Sequence, residues 1–505
     1  MAHITVDGTL LEVKDGALLI EELLAHGINI PHFCYHPALG KDGNCRMCMV
    51  EIEGQKRPQI ACDTPIKHGM IVRTKGESID RVKRSILELE LINHPIDCPI
   101  CDQAGECSLQ NYYMDVGLYE SRLSTPKTRG KKHVDLGCNV VLDQERCVLC
   151  TRCVRFTQKI TKTNELGVLK RADHSVITTF PDTKLSNPYA MNIVDLCPVG
   201  ALTSKDFRFH KRVWFLQPQE AICNHCARGC SLYVDHHREK YQEEKIYRYR
   251  PRLNDKINGY FMCDAGRLSY TKENQQTCFS PLIRGKVSEY EYAQSKLLRL
   301  LKRHLQKTLI VLGGNLSVEE MVRFKLLAKQ YNLFLSGYAA DIHDETFGDT
   351  FLKCSDRSAN SRAFAPLEID TTEAFFNDAL HEAALVILVE RDDVPTMIKK
   401  LNEKSCVILS AYDVGVYPEV ELVLPIASHM AKAGTYINID GYLQYSKAAI
   451  ALHPERQNLL KLLAFLLDDA LLSPEEVWDA HLVSAYEAFA TICFKSLTQT
   501  PKIAL

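Results

Sequence analysis

Long apolar runs are missing from this chain of 505 residues. No stretch reaches the roughly 18 apolar residues that a membrane-spanning helix needs, and the apolar patch from Leu459 to Leu467 falls far short. The opening MAHITVDG has neither the charged nor the apolar region of a secretory signal peptide. A soluble, intracellular protein without a direct membrane span is expected, one that can still dock on a membrane complex. An excess of one charge is missing too: 61 Lys and Arg against 63 Asp and Glu leave a formal net charge of -2, and charges so dispersed leave no nucleic-acid footprint. No G-x-G-x-x-G follows a strand-like run, so no self-contained nicotinamide site is expected. LGGNLS (312–317) is weaker than that fingerprint and serves to turn a strand into a helix. After Cys263 even cysteine is scarce, with only Cys278, Cys354, Cys406 and Cys493.

What the chain does have is cysteine in its first half. Sixteen of its 20 cysteines lie at or before Cys263. In a small secreted chain they would be a disulfide scaffold; in a large chain with no export signal they read as metal ligands. A hydrophobic fraction of 46% can fill real cores, and the length suits about three or four domains. The sequence divides into segments 1–77, 78–120, 138–212, 220–275 and 276–505, with the basic linker TPKTRGKK at 125–132.

Short β-like runs around Asp7-Gly8 and Asp15-Gly16 open the chain, a helical run from Ala17 to Ala25 stops at Gly27, and MVEIEG reads as a strand turned back at Gly54. Arg81 to Leu91 has helical composition. Further on, LIVLGG (309–314), AALVILVE (383–390) and CVILS (406–410) alternate with helical stretches such as Ser317 to Tyr331. Continuous Val/Ile/Leu strands alternating with helices predict a parallel sheet covered on both faces. The fold class is multidomain, α+β and then α/β.

Four ligand sets emerge. The first is Cys34, Cys45, Cys48 and Cys62, spaced C-x10-C-x2-C-x13-C. Four thiolates in one irregular region suit an iron–sulfur cluster. Structural zinc wants the same thiolates, so count alone does not decide. Gly40, Gly43 and Asn44 tilt the choice, since they let amides approach the sulfurs and tune a potential. The second set is His94, Cys98, Cys101 and Cys107 in HPIDCPICDQAGEC. Three cysteines leave one corner of a cubane open and His94 fills it, with a second-shell partner expected to fix its ring. His32, His36 and His68 have no such argument and are given surface or loop roles.

The third set is Cys147, Cys150 and Cys153 of CVLCTRC with Cys197, which precedes Pro198. Two-cluster bacterial ferredoxins use C-x2-C-x2-C-x3-C-P, whose fourth cysteine serves the other cluster. Here Thr157 replaces that cysteine, and Asn187, Ala190 and Ile193 replace the first three of the second motif. One crossed [4Fe-4S] site survives and side chains should fill the other. Cys138 nearby is expected to be a buried free thiol. The fourth set is Cys223, Cys226 and Cys230 of CNHCARGC with the remote Cys263, beside Gly266 and Arg267; it fits another [4Fe-4S], with Gly229 relieving crowding. YRYRPRLND (247–255) is expected to pack against partner protein. Fifteen cysteines and one histidine thus make four sets of four, which points to single-electron conduction rather than thiol catalysis.

IPHFCYHPALGKDGNCRMCMVEI, HPIDCPICDQAGECSLQNYYMDVG, ERCVLCTRCVRF and DLCPVGAL together resemble the large iron–sulfur subunit of bacterial NADH–quinone oxidoreductase, respiratory complex I, densely over 1–270. The resemblance implies a ferredoxin-like β-grasp domain holding [2Fe-2S] at the first set, a His-Cys domain with [4Fe-4S], a bacterial-ferredoxin-like domain with the on-path [4Fe-4S], and an off-path [4Fe-4S] at the fourth. Cofactors would be one [2Fe-2S] and three [4Fe-4S]. From 220 onward the chain is similar to molybdopterin oxidoreductases, and LPIASHMAKAGTYINIDGYLQ (424–444) resembles their signature around Gly434, Thr435, Asn438 and Gly441. Tyr442 stands where those enzymes carry Arg, and the C-terminal half is short, so a truncated α/β domain without molybdopterin is expected.

The resemblance further implies that a neighbouring flavin and iron–sulfur subunit, or a ferredoxin-like donor, supplies electrons. They would cross the first, third and second sites in that order toward quinone, on the cytoplasmic side of the inner membrane. The chain itself would convert no substrate. Rival assignments are the diaphorase arm of a hydrogenase, an iron-only hydrogenase, an NAD-linked formate dehydrogenase in which Cys354 would be the catalytic candidate, and a colourless structural zinc protein.

Overall fold

The computed structural model describes the chain except for residues 118–119, 172–173, 276–279, 340–342, 402–403, 418, 500–502 and 505; Cys278 lies outside the described residues. The chain divides into two compact units, Met1–Leu216 and Gln217–Leu505.

Strict alternation builds the start of the first unit. In the strand Ala2–Val6, Ala2, Ile4 and Val6 are buried, because successive side chains point to opposite faces. Asp7 and Gly8 both take positive φ, 47° and 88°, the turn whose twist suits a hairpin, and Thr9–Val13 returns antiparallel. Ala2–Val6 also pairs in parallel with Ile71–Arg73, and Met49–Ile52 and Gln59–Ile60 complete a five-stranded sheet. Helix Leu19–Ala25 buries Leu19, Ile20 and Leu23 in a core that also contains Cys48 and Cys62. The ligand loop therefore hangs from a formed core.

Helix Glu77–Leu91 starts four residues before the expected Arg81. Its start is set by Gly76, at φ 131°, whose N–H donates to the Asp80 carboxylate at 3.2 Å. The segment after it is irregular apart from a 3-10 turn at Cys98–Ile100, and helix Ser108–Val116 follows. The basic stretch at 125–132 has no regular structure but is anchored, since Lys127 donates to the carbonyls of Leu91 and His94, each at 2.7 Å. Strands Val134–Gly137, Val140–Leu142 and Leu202–Ser204 form a second sheet, and helices Arg152–Arg155 and Asn192–Leu196 carry the cysteine motifs to it. Thr157, Asn187, Ala190 and Ile193 are all buried.

The second unit begins with an antiparallel sheet of Gln217–Ile222, Ser231–Arg238 and Glu244–Pro251. Here the basic residues of YRYRPRLND are engaged within the sheet. Arg248 and Arg250 both pair with Asp235, Arg252 with Glu220, and Tyr249 is buried. The charges close on their own sheet.

A seven-stranded sheet follows, in which Val420–Pro425, Ser405–Ser410, Leu385–Val389, Thr308–Leu312 and Phe334–Ser336 run parallel and the hairpin Leu282–Ile283 with Lys286–Val287 adds an antiparallel edge. Ile310, Leu312, Ile387 and Val389 face helices Val318–Tyr331 and Leu459–Leu467. Leu309, Val311, Val386 and Leu388 face helices Glu373–Glu382 and Val394–Lys400. Both faces are covered. LGGNLS does turn strand into helix: a Cβ on Gly313 would lie 1.8 Å from the Glu390 carbonyl oxygen, and Ser317 with Glu320 forms the capping box of the helix. Among the described residues no helix is long and apolar enough to cross a membrane.

Candidate iron–sulfur centres

The first set is the tightest. Cys34, Cys45, Cys48 and Cys62 are at most 5% exposed. The Cys34 and Cys45 sulfurs lie 3.4 Å apart, and the Cys62 thiol contacts both Cys34 and Cys48, so the four thiols form one continuous cluster. Backbone N–H groups of Phe33 and Cys34 donate to the Cys45 sulfur, each at 3.4 Å, and that of Gly43 to the Cys34 sulfur. Gly40 and Gly43 both have positive φ, 71° and 75°, which is how the loop turns its amides inward. Asn44 acts differently from expectation, since its side-chain amide reaches the Leu149 carbonyl at 3.0 Å, inside the third set.

At the second set, His94, Cys98, Cys101 and Cys107 line one small apolar cavity. Burial lowers the His94 pKa to about 4, which keeps the imidazole neutral, the form that ligates metal. Its Nδ1 is buried with no hydrogen-bond partner among the described residues, as suits a ligating nitrogen, and Lys127 anchors the His94 backbone carbonyl. Burial raises Cys107 to about 11. Gly200 forms part of the same cavity, and a Cβ there would fall 2.3 Å from the Cys101 sulfur. Orphaned nitrogen, cavity and bare glycine together fit a bulky thiol-ligated group.

The third set, Cys147, Cys150, Cys153 and Cys197, lines a second small cavity. Burial raises all four thiols, with repulsion between them adding at Cys147, Cys150 and Cys153, and takes Cys150 to about 12. Such sulfurs do not ionise without a cation beside them. Leu149 and Thr151 sit between the cysteines at positive φ, 50° and 60°, and Leu149 N–H donates to the Cys147 sulfur at 3.4 Å. The amides of Val199, Ala201 and Leu202 point at the Cys197 sulfur. Cys138, half-buried, donates its thiol to the Leu185 carbonyl at 3.0 Å and takes no part in the set.

Side chains the sequence reading passed over join the first and third sets. Arg152, 9% exposed, donates to the Tyr35 carbonyl at 2.5 Å and the Leu196 carbonyl at 3.2 Å, the neighbours of Cys34 and Cys197. Arg155 donates to the carbonyls of Cys34 and, at 2.8 Å, Gly40, and Thr151 to Asp42 at 2.7 Å. His36, expected on a surface or loop, is half-buried beside these arginines, and burial followed by their charge lowers its pKa to about 3. Glu90 faces both Cys34 and Cys147, and burial raises its carboxyl to about 7. The alternation of Arg with Cys in CTRCVRF was the available signal.

The fourth set, in the second unit, is Cys223, Cys226, Cys230 and Cys263, all buried. Cys223 N–H donates to the Cys230 carbonyl at 2.8 Å, and Gly266 N–H to the Cys263 sulfur at 3.3 Å. Gly266 is the glycine in the cradle: its Cβ would meet the Cys223 and Cys263 sulfurs at 3.1 and 3.3 Å. Gly229 does not have the expected role, since its Cβ would meet the Gln444 amide at 3.0 Å instead. Cys354, expected as an ordinary structural thiol, lies against Cys226, and this contact, ahead of burial, sets the pKa of Cys226 at about 6.

The signature hairpin Gly434–Ile437 and Tyr442–Ser446 clasps this ligand loop. Gln444 donates to the Gly229 carbonyl at 2.9 Å, Asn438 to that of Arg228 at 3.3 Å, and Ile439 N–H to that of Ala227 at 2.7 Å. Beside the loop, at the carboxyl ends of the parallel strands, opens a cleft lined by Glu273, Asp344, Glu390, Asp392 and Asp413 and by Lys272, Arg357 and Arg391. Its cations are already paired, Lys272 with Asp392, Arg357 with Asp344 and Arg391 with Asp393. Among the described residues no three His, Cys, Asp or Glu side chains converge on a single metal ion; at the second and third sets they line cavities instead.

Comparison with known proteins agrees with this distribution. A 2Fe-2S iron–sulfur cluster binding domain matches residues 1–77, the NADH-ubiquinone oxidoreductase-G iron–sulfur binding region matches 83–122, and the ferredoxin-like domain of NADH-quinone oxidoreductase subunit 3 matches 137–203. The chain is 33% identical over 355 residues to the NADH-quinone oxidoreductase G subunit of Rickettsia felis, covering 69% of this chain and 52% of that protein. It is 35% identical to the corresponding protein of Streptomyces coelicolor, covering 65% of this chain and 39% of that one, and 35% identical to that of Mycobacterium bovis, covering 65% and 42%. The chain thus spans about half the length, or less, of the curated relatives it matches. A crystal structure of an NAD+-reducing [NiFe]-hydrogenase in the H2-reduced state aligns at 29% identity over 42% of this chain and 91% of that one, with a TM-score of 0.37.

Proposed function

Because this chain is a relative of the G subunits of NADH–quinone oxidoreductases over about two thirds of its length, we propose that it is an electron-relay subunit of the peripheral arm of respiratory complex I. It takes single electrons from a flavin-containing subunit or a ferredoxin-like donor and passes them toward quinone, on the cytoplasmic side of the inner membrane.

Cys34, Cys45, Cys48 and Cys62 would hold [2Fe-2S], a reading supported by the 2Fe-2S cluster binding domain that matches residues 1–77. His94, Cys98, Cys101 and Cys107, then Cys147, Cys150, Cys153 and Cys197, then Cys223, Cys226, Cys230 and Cys263 would each hold [4Fe-4S]. Bound there, the clusters supply one-electron carriers whose potentials depend on ligand type, sulfur hydrogen bonds and burial. The chain excludes water around the thiols, turns amides toward them and ties the ligand loops together. The observation that carries the relay is the pair of backbone bridges: Arg152 joins the first set to the third, and Ser108, beside Cys107, donates to the Pro198 carbonyl at 2.9 Å, beside Cys197. They support the order first, third, second.

The C-terminal domain is a truncated molybdopterin-oxidoreductase-like domain that holds no molybdopterin and serves structure and subunit contact. Its signature residues are engaged structurally, with Thr435 donating to Glu319 and Asn438 holding its own turn, and Lys272, Arg357 and Arg391 of the adjoining cleft are already paired with carboxylates. Iron, sulfide, molybdenum and tungsten counted on the anaerobically purified protein test all of this. About fourteen irons and no molybdenum are expected for one [2Fe-2S] and three [4Fe-4S]; stoichiometric molybdenum or tungsten would make the second unit an enzyme.

A further inference from the structure

The fourth ligand set contains more sulfur than a cubane uses. Alongside Cys223, Cys226, Cys230 and Cys263, the Cys354 sulfur lies against the Cys226 sulfur, with the Cys354 backbone N–H pointing at it, and the Cys354 thiol also lies 3.8 Å from the Leu352 carbonyl. The contact is built in. Segment 352–357 runs along the ligand loop, where Ala227 N–H donates to the Asp356 carbonyl at 2.9 Å, Arg228 Nε to the Leu352 carbonyl at 3.3 Å, and Arg357 Nε to the His225 carbonyl at 3.3 Å. Arg357 also reaches the His225 ring at 2.9 Å. Among the described cysteines outside the four sets, Cys138 hydrogen-bonds the Leu185 carbonyl, Cys406 lies in a core strand and Cys493 is exposed. Cys354 is the one whose sulfur is directed at a ligand.

We propose that Cys354 is a reserve ligand of the fourth cluster, able to replace Cys226 on the same iron. The inference rests on the fourth set holding a [4Fe-4S]. Two sulfurs in contact can exchange at one iron with little backbone movement. The exchange moves no electron: the bond from iron to the Cys226 sulfur breaks, that to the Cys354 sulfur forms, and the proton of Cys354 passes to Cys226 across that contact. With Cys226 bound, the Cys354 thiol donates a hydrogen bond to a ligand sulfur, which stabilises the reduced cluster. Arg228 lies close enough to interact with both sulfurs and favours whichever is a thiolate.

The test compares Cys263→Ala, Cys226→Ala, Cys354→Ala and the double variant Cys226→Ala/Cys354→Ala in the full protein, by iron and sulfide content and by EPR of the reduced state. Cys263→Ala first checks the underlying assignment: it should lose about four irons, and if it keeps them the fourth cluster itself is wrong. Cys226→Ala is expected to keep its irons with altered g-values, and the double variant to lose them. Equal loss in Cys226→Ala and Cys263→Ala, or full retention in the double variant, would overturn the reserve ligand while leaving the cluster in place. Should Cys226→Ala fail to fold, Cys354→Ala decides: a lower midpoint potential at this cluster is expected, and an unchanged spectrum and potential overturn the proposal.

Discussion

Ser108 donates its backbone N–H to the carbonyl of Pro198 at 2.9 Å, and each of the two is the chain neighbour of a proposed cluster ligand, Cys107 and Cys197. Ser108 is the first residue of its helix, the position at which proline is tolerated. Ser108→Pro should therefore delete this one bridge, at about 1 kcal/mol of stability, and keep all the iron. The expected result is slower electron transfer between the third and second sites, seen by freeze-quench EPR. Unchanged transfer would show that the bridge is structural only.

Arg152 spans Tyr35 and Leu196 from a buried position. Arg152→Gln is too short to reach both carbonyls, and each stranded buried acceptor costs about 1–3 kcal/mol. A lowered melting temperature and loosened iron at the first and third sets are expected together. Loss confined to one set would mean that Arg152 supports that set alone.

Gly200 has no room for a methyl group, because its Cβ would lie 2.3 Å from the Cys101 sulfur and 3.0 Å from the Gln103 Cβ. Gly200→Ala is predicted to release about four irons from the second set. Iron analysis with EPR of the remaining signals distinguishes this from general unfolding, which would remove every signal.

His94 offers a neutral ligand, and its buried pKa of about 4 keeps it so across the physiological range. His94→Cys replaces it with an anion that favours the oxidised cluster, so the iron should stay and the midpoint potential should fall, on the order of 100 mV. A redox titration indistinguishable from that of the unaltered protein would remove His94 from the ligand set.

Glu319 is wholly buried, and burial raises its carboxyl from 4.5 to about 7, against hydrogen bonds from Thr435 that lower it. The folded state thus holds its proton over a range where the unfolded state has lost it. This contribution is complete below about pH 4.5 and disappears as pH rises through 7, a change on the order of 3 kcal/mol. Urea midpoints from pH 4.5 to 8 should fall more steeply for the unaltered protein than for Glu319→Gln; parallel slopes would show that Glu319 does not titrate in this range.

The fold was legible where one local signal dominated. Alternation in Ala2–Val6, the Asp7-Gly8 turn and the continuous apolar strands at 308–312, 385–389 and 405–410 all appear as expected, because burial pattern and turn chemistry act over few residues. The four ligand sets could be grouped because cysteine spacing is itself local, apart from the remote Cys197 and Cys263. The contacts of Arg152, Asn44 and Cys354 were not legible. Each joins residues roughly a hundred or more positions apart, and nothing in the neighbouring sequence encodes such a meeting. Gly229 and Gly266 show the same limit: both stand near cysteines in sequence, and only the fold distinguishes the one under Gln444 from the one under the thiols.

The stretch after Cys197 borders two cavities at once, with Gly200 lining the second set and Val199, Ala201 and Leu202 lining the third. One bend and turn of backbone, residues 198–201, therefore contributes to the walls of both. The two candidate ligand sets are thus coupled through the chain itself and not only through movable side chains. Because close-packed interiors yield little, a bulkier residue in this strip would press on both sets at once.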